Sequence, residues 1–532
     1  MSRLERALIG CGMVLALWVG QAIGGVPEPV QAWRQVPAAF HVHSVLSTGS
    51  DSFESLADQA GESGIEAIFL TDNYLLRYEY GLFPLSGLIR RTYELPSVVQ
   101  LGVGRFLSEV REAGLRHPKV LFIPGVEVVP HYYWTGSLAG KDLTMHDSQK
   151  NILVLGLPTE EDYARLPSAG NHAAYEYGWN TVVLLWPILL VPPAIRLITR
   201  RVERRMGTGW TLMVVHERRP TPGVALLTVS VFLLVNNYPF GTPPYDIYSD
   251  GNGLRPHQGV IDYVRQRGGI SIWSMPEARD FNRYDYGRLG VVTVKTDPYP
   301  EVLSQTSGYT GFGAVYQDNV TATNPGGVWD TVLTEYVENP RPGAVPPWGV
   351  GEAAYRGPDS GGKHLHQITT VLLVKEPTPA ALLEAMAAGR MYARFRSKEY
   401  GLVLNDFTLE SVVTGATAIS GQVVQAPPST PIQIRVAVAT TDGRPHQTSV
   451  KVIRSGQVVA SSTESVPFSL TVQGVAPSAG RTAYYRLVIG SGEQSVITNP
   501  IFVRASTSSA RTAGGHVSSS PRREGGGEGG SQ

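Results

Sequence analysis

Two histidines one residue apart, at the end of an apolar run that a second apolar run rejoins after one helix, limit this chain more than any other feature. Residues 40–73 read FHVHSVLSTGSDSFESLADQAGESGIEAIFLTDN. On a strand, His41 and His43 point to one face, because side chains alternate with a period of two. A Ser/Thr/Gly/Asp loop follows, and Phe53, Leu56, Ala57 and Ala60 mark the buried side of a helix ending at Gly64. Residues 65–70, apolar except for Glu66, then form a strand that delivers Thr71, Asp72 and Asn73 at its C-terminal end. Strand, helix and parallel strand make a β-α-β unit with polar residues at both strand ends, where such folds carry their chemistry.

Further along, residues 120–129 (VLFIPGVEVV) are a buried strand by their continuous apolar run, which makes Glu127 a candidate functional carboxylate. Residues 181–195 and 223–235 are apolar runs. Between them Arg196, Arg200, Arg201, Arg204, Arg205, Arg218 and Arg219 face only Glu203 and Glu217. With their flanks these runs approach a membrane span of ~20 residues. The arginine-rich segment reads as a cytoplasmic loop. Arg3 and Arg6 before the apolar stretch 7–25 send residue 26 onwards to the outside, so both orientation signals agree. From about residue 402 short alternating runs separated by turns indicate a small β-sandwich, and a Ser/Gly/Arg-rich tail follows from 505.

Lys and Arg number 45, as do Asp and Glu, so no basic excess points to nucleic acid. The one cysteine, Cys11, excludes an intramolecular disulfide.

These stretches resemble the PHP family (polymerase and histidinol phosphatase domain), whose opening pattern is H-x-H-S followed by T-D-H. Residues 124–127 match its P-G-V-E motif, and residues 369–392, ending in Gly-Arg-x-Tyr, match its close. Asn499-Pro500-Ile501-Phe502-Val503 is similar to the end of a sandwich found in the carbaryl-hydrolase-like branch. The resemblance implies an α/β fold, a distorted (β/α)7 PHP-type barrel followed by a small C-terminal β-sandwich; the two apolar runs, which have no counterpart in a typical family member, add a transmembrane helical hairpin that interrupts the barrel. The expected divisions are 1–25, a signal peptide or N-terminal anchor; 26–178, the first part of the barrel; and 179–240, the membrane hairpin. The barrel resumes at 241–400, the sandwich occupies 401–504, and a disordered tail covers 505–532.

The family's reaction is metal-assisted phosphoester hydrolysis. His41, His43 and Glu127 stand where it has ligands, and Asp72 where a neighbouring carboxylate orients a ligand or accepts a proton. Other ligand positions are changed. Asn73, Asn151 and Met275 replace histidines, Ala353 replaces Asp, and Tyr355 replaces His. An amide oxygen is a weak neutral ligand, a thioether is soft, and alanine has no donor. The surviving set implies at most one divalent ion, Zn, Mn or Fe. His131, His146, His364 and His366 are unassigned substitutes, while Glu352, beside Ala353, reads as a solvated loop residue more than as a substitute. Two functions stay open. One is a membrane-anchored metal-dependent hydrolase of a small phosphoester or ester, with barrel and sandwich on the extracytoplasmic side. The other is a catalytically degenerate domain that binds a ligand or partner at the cell envelope.

Overall fold

The computed structural model describes residues 33–507, apart from 139, 208–212, 287–289, 341–343 and 361–362. The leader or anchor expected at 1–25, with Cys11, and the tail from 508 lie outside the described residues. Ala505, expected to open that tail, instead closes a strand, Ile501–Ala505.

The β-α-β unit forms as read. Strand β1 (Arg34–Val42) leads to α1 (Phe53–Ser63) and back to β2 (Ala67–Asn73). Ser52 caps α1 by accepting from the Ser55 N–H, and Gly64 ends it in the left-handed region at φ 74°. Phe53, Leu56, Ala57 and Ala60 are its buried face. The sheet grows from this unit through β3 (Leu121–Val128), β4 (Ile152–Leu155), β5 (Ile270–Trp273), β6 (Gly311–Val315) and β7 (Trp348–Gly351). Neighbours follow in chain order, all parallel except β4, which is antiparallel to both β3 and β5. Beyond β7 the chain returns to β1: Ala353 N–H donates to the Phe40 carbonyl, and Tyr355 both donates to His41 and accepts from His43, each at 2.9 Å. The apolar core lies inside this curl and beneath the flanking helices.

On its other edge β1 pairs antiparallel with β8 (Ile368–Val374), and β8 with β9 (Met391–Phe395). The sheet does not stop at the expected boundary near 400. It continues from β9 into β11 (Gln494–Thr498) and β10 (Thr482–Ser491). A second sheet, built on Leu402–Ser411, Pro431–Thr440 and Phe468–Val475, faces this extension across a core that includes Leu409, Ile434, Val436, Leu487 and Ile489. The result is a mixed α/β molecule with a large sheet shared between two packed cores.

Between β4 and β5 the chain leaves the sheet as two apolar helical segments, α2 (Trp179–Thr199) and α3 (Thr221–Asn237), which pack on each other. By length and composition α2 is long and apolar enough to cross a membrane, with 11% of its most apolar window buried; α3 is shorter at 17 residues. The arginine-rich segment that joins them, read from its charge as a loop, contains two paired strands. Arg201–Met206 and Met213–Arg218 pair as an antiparallel hairpin in which β-branched Val202, Val214 and Val215 suit the extended backbone.

Candidate metal centre

The register of three strands builds the site. β2 lies parallel to β3 with Asn73 opposite Glu127, and β1 ends beside β2 with a break in register between Phe40 and Val42. At that break His41 adopts φ 66°, a left-handed conformation unusual for a residue with a β-carbon. Both imidazoles reach Glu127: His41 Nε2 lies 3.4 Å from Oε1, and His43 Nε2 3.5 Å from Oε2. All three side chains are at most 1% exposed. Donors held at about 2.0–2.1 Å from one ion in a tetrahedron sit about 3.4 Å from one another. The observed spacings therefore fit one shared cation. His41 Nε2 and both ring nitrogens of His43 are buried without a hydrogen-bond partner, so their lone pairs are available to a cation.

Glu352 corrects the sequence reading. It is fully buried, with its Oε2 2.8 Å from His41 Nδ1; Ser274 Oγ donates to the same oxygen at 2.9 Å and the Met275 N–H to Oε1 at 3.2 Å. The apolar WGVG strand before it carries it inward, and Gly313 leaves it room: a β-carbon there would stand 2.2 Å from Oε1. A carboxylate behind a histidine fixes which nitrogen faces the metal and raises its basicity. Burial pulls the His41 pKa down, but Glu127 and Glu352 outweigh it and raise it, so the site favours a cation, proton or metal, on Nε2. Burial holds the His43 pKa well below the ordinary value, leaving a neutral donor. Burial alone would raise the Glu127 pKa, but the positive charges of His41 and Arg356 outweigh it and hold it low, so the carboxylate stays ionised.

The asparagines at positions where the resemblance expects histidine act on the carboxylate. Asn73 Nδ2 donates to Glu127 Oε2 at 2.6 Å, and Asn151 Nδ2 to Oε1 at 2.7 Å. Thr48 Oγ1 donates to Asn73 Oδ1 at 2.7 Å and fixes that amide. Tyr355 points elsewhere, its hydroxyl donating to Asp51 Oδ2 at 2.6 Å. Ala353 contributes only its backbone. Arg356, which the sequence reading missed, brings its guanidinium 3.6 Å from Glu127 Oε2 and is 37% exposed. Its only signal was its place directly after Tyr355.

Asp72 is not in the converging group. Its carboxylate accepts from the Ser44 N–H at 2.8 Å, from Ser44 Oγ and from Ser47 Oγ at 2.6 Å, so it pins the loop that begins at His43. Burial raises its pKa against these bonds. None of the four unassigned histidines joins the centre: among the described residues, only His41, His43 and Glu127 bring at least three ligand atoms together. His131 meets Asn252 at 3.2 Å, His146 meets Thr135 at 2.7 Å, and His364 stacks on His366.

No family model matches the sequence, and no curated protein is similar to it. Among solved structures, the chain is similar to a two-domain protein from Bacteroides vulgatus containing a predicted PHP-like metal-dependent phosphoesterase. Identity is 12%, the TM-score is 0.33, and the match covers 90% of this chain and 97% of that one. It is also similar to a candidate metal-dependent phosphoesterase from Bifidobacterium adolescentis, at 13% identity and a TM-score of 0.26, covering 63% of this chain and 91% of that one.

Proposed function

We propose that the protein is a membrane-tethered, PHP-type metal-dependent hydrolase of small phosphoesters, built on a distorted seven-stranded barrel. Its centre takes one divalent ion, Zn, Mn or Fe, on His41, His43 and Glu127. The observation that carries this reading is the set of buried, unpartnered imidazole nitrogens 3.4 and 3.5 Å from an ionised carboxylate. The branch with a C-terminal sandwich is favoured by Asn499, which accepts from the Gly349 N–H at 2.7 Å and donates to the carbonyls of Gly349 and Met391 at 3.1 Å, tying the sandwich to the barrel strands.

A divalent ion at this position supplies Lewis acidity and a bound water of lowered pKa. Glu352 orients His41, and Asp72 orients His43 through Ser44 rather than taking up a proton. Arg356, partly exposed beside the carboxylate, offers paired N–H donors to a phosphoryl oxygen. A second reading, a domain that binds without turning over, is favoured by Asn73 and Asn151, whose amides engage both oxygens of Glu127.

Elemental analysis separates the two once paired with a generic assay. The chain purified from divalent-supplemented medium should carry up to one ion, and His43→Ala should remove it together with any p-nitrophenyl phosphate hydrolysis. Metal without hydrolysis selects the binding reading. A wild-type chain that takes up none of the three metals refutes the centre.

The orientation is tested separately. With barrel and sandwich outside, a reporter active only in the extracytoplasmic space should work when fused after Val503. It should be silent when fused at Arg204, and equal activity at both points would remove the spanning hairpin.

A further inference from the structure

The arginine hairpin emerges from the far ends of α2 and α3 with every described residue of its two strands exposed or half-exposed. An isolated two-stranded hairpin is at best marginal in water, so something must cover one of its faces. The register says which. Met206 pairs with Met213, Arg204 with Val215, and Val202 with Glu217; these six residues share one face. Arg205 with Val214, Glu203 with His216, and Arg201 with Arg218 make up the other.

The first face is apolar but for Arg204 and Glu217, which lie 3.8 Å apart and offset each other's charge. Met206 is 46% exposed and Met213 68%. The second face holds three arginines with a single valine among them. The hairpin is therefore amphipathic in a way its sequence conceals, because the split follows strand pairing and not a run of residues.

We propose that this hairpin is an interfacial foot, lying on the leaflet that α2 and α3 reach, its methionine–valine face against the acyl boundary and its arginines among anionic headgroups. The inference rests on the membrane reading of α2 and α3. Three observations choose a bilayer as the occupant. The hairpin joins two helices whose own apolar side chains are exposed, among them Leu189, Ile195 and Phe232. Residues 200–219 carry six arginines against two glutamates, which suits an anionic surface. And α3, at 17 residues, rises only about 25 Å against a hydrocarbon core of about 30 Å, so its hairpin end stays at the boundary.

The test uses the full-length chain in vesicles of phosphatidylethanolamine and phosphatidylglycerol. In a Cys11→Ser background, an environment-sensitive dye is attached at Met206→Cys or Met213→Cys on one face and at Arg205→Cys or His216→Cys on the other. Lipid-borne nitroxide should quench the first pair several-fold more than the second. Equal quenching of both faces, or none on either in a chain that has inserted, overturns the foot and leaves the spanning helices intact. A chain that does not insert at all overturns the membrane reading, and the foot with it. Two positions per face keep the result readable if one variant fails to fold.

Discussion

Exchanging Glu352 for glutamine should weaken divalent-cation binding about 10- to 100-fold while leaving the melting temperature near that of wild type. Glutamine keeps the volume and an oxygen that can accept from His41 Nδ1, now 2.8 Å from the carboxylate. It removes the negative charge that, with Glu127, makes the His41 nitrogen basic despite burial. The loss corresponds to about 1.4–2.7 kcal/mol of binding, the usual worth of an outer carboxylate behind a ligating histidine. Chelator competition on the purified chain measures it. A Ser274→Ala variant, which deletes one donor at 2.9 Å from the same oxygen, should fall between the two. Unchanged affinity in Glu352→Gln would mean that Glu352 only fills space and that His41 needs no second carboxylate.

Replacing Arg486 with methionine should destabilise the fold by about 3–5 kcal/mol, the cost of stranding a buried charge. Arg486 is fully buried in β10 and grips Asp330 with two parallel bonds, Nε to Oδ1 at 2.8 Å and a terminal nitrogen to Oδ2 at 2.6 Å. Its guanidinium also lies 4.9 Å from the ring centroid of Trp329. Asp330 sits on the helix Val328–Glu338, whose Trp329 packs on Phe312 of β6, so the pair joins the two cores. Without Arg486, among the described residues only the Gly326 N–H at 2.8 Å and the Tyr484 hydroxyl at 3.0 Å remain to the carboxylate. Denaturant unfolding reads the loss. The double variant Arg486→Met with Asp330→Leu should recover most of it, because an apolar pair of similar volume needs no desolvated charge. A double variant as weak as the single one would mean that the site depends on the arginine's shape and not on the pair.

What could be read from the sequence follows the range of each interaction. The β-α-β unit was legible because its signals are local: the polar loop after His43, the Phe53–Ala60 stripe and Gly64 lie within about twenty residues. The convergence of His41, His43 and Glu127 was reachable only through the family resemblance, since β1 and β3 meet by way of β2. Glu352 was read as a solvated loop residue because its partners, His41 and Ser274, are 311 and 78 residues away. Asn73 and Asn151 were recognised as departures, but that their amides grip both oxygens of Glu127 follows from side-chain direction alone. Arg486 lay within a recognised alternating run, yet nothing nearby announces an aspartate 156 residues earlier in the chain. The arginine hairpin was hidden by its own charge.

One small contact has a consequence for how such a chain can be altered. Glu176 and Thr242 exchange backbone hydrogen bonds at 3.4 and 3.2 Å, so the excursion through α2, the arginine hairpin and α3 leaves and returns at a single neck. The strands on either side, β4 and β5, pair with each other directly, with Ile152 opposite Trp273, and do not need the excursion to find their register. In the language of grafting, the neck is a splice point: one excision there should remove both apolar helices and the arginine hairpin while the sheet keeps its order. A short turn joining the two sides of the neck would give a chain with the same His41, His43 and Glu127 cluster and without the two apolar helices.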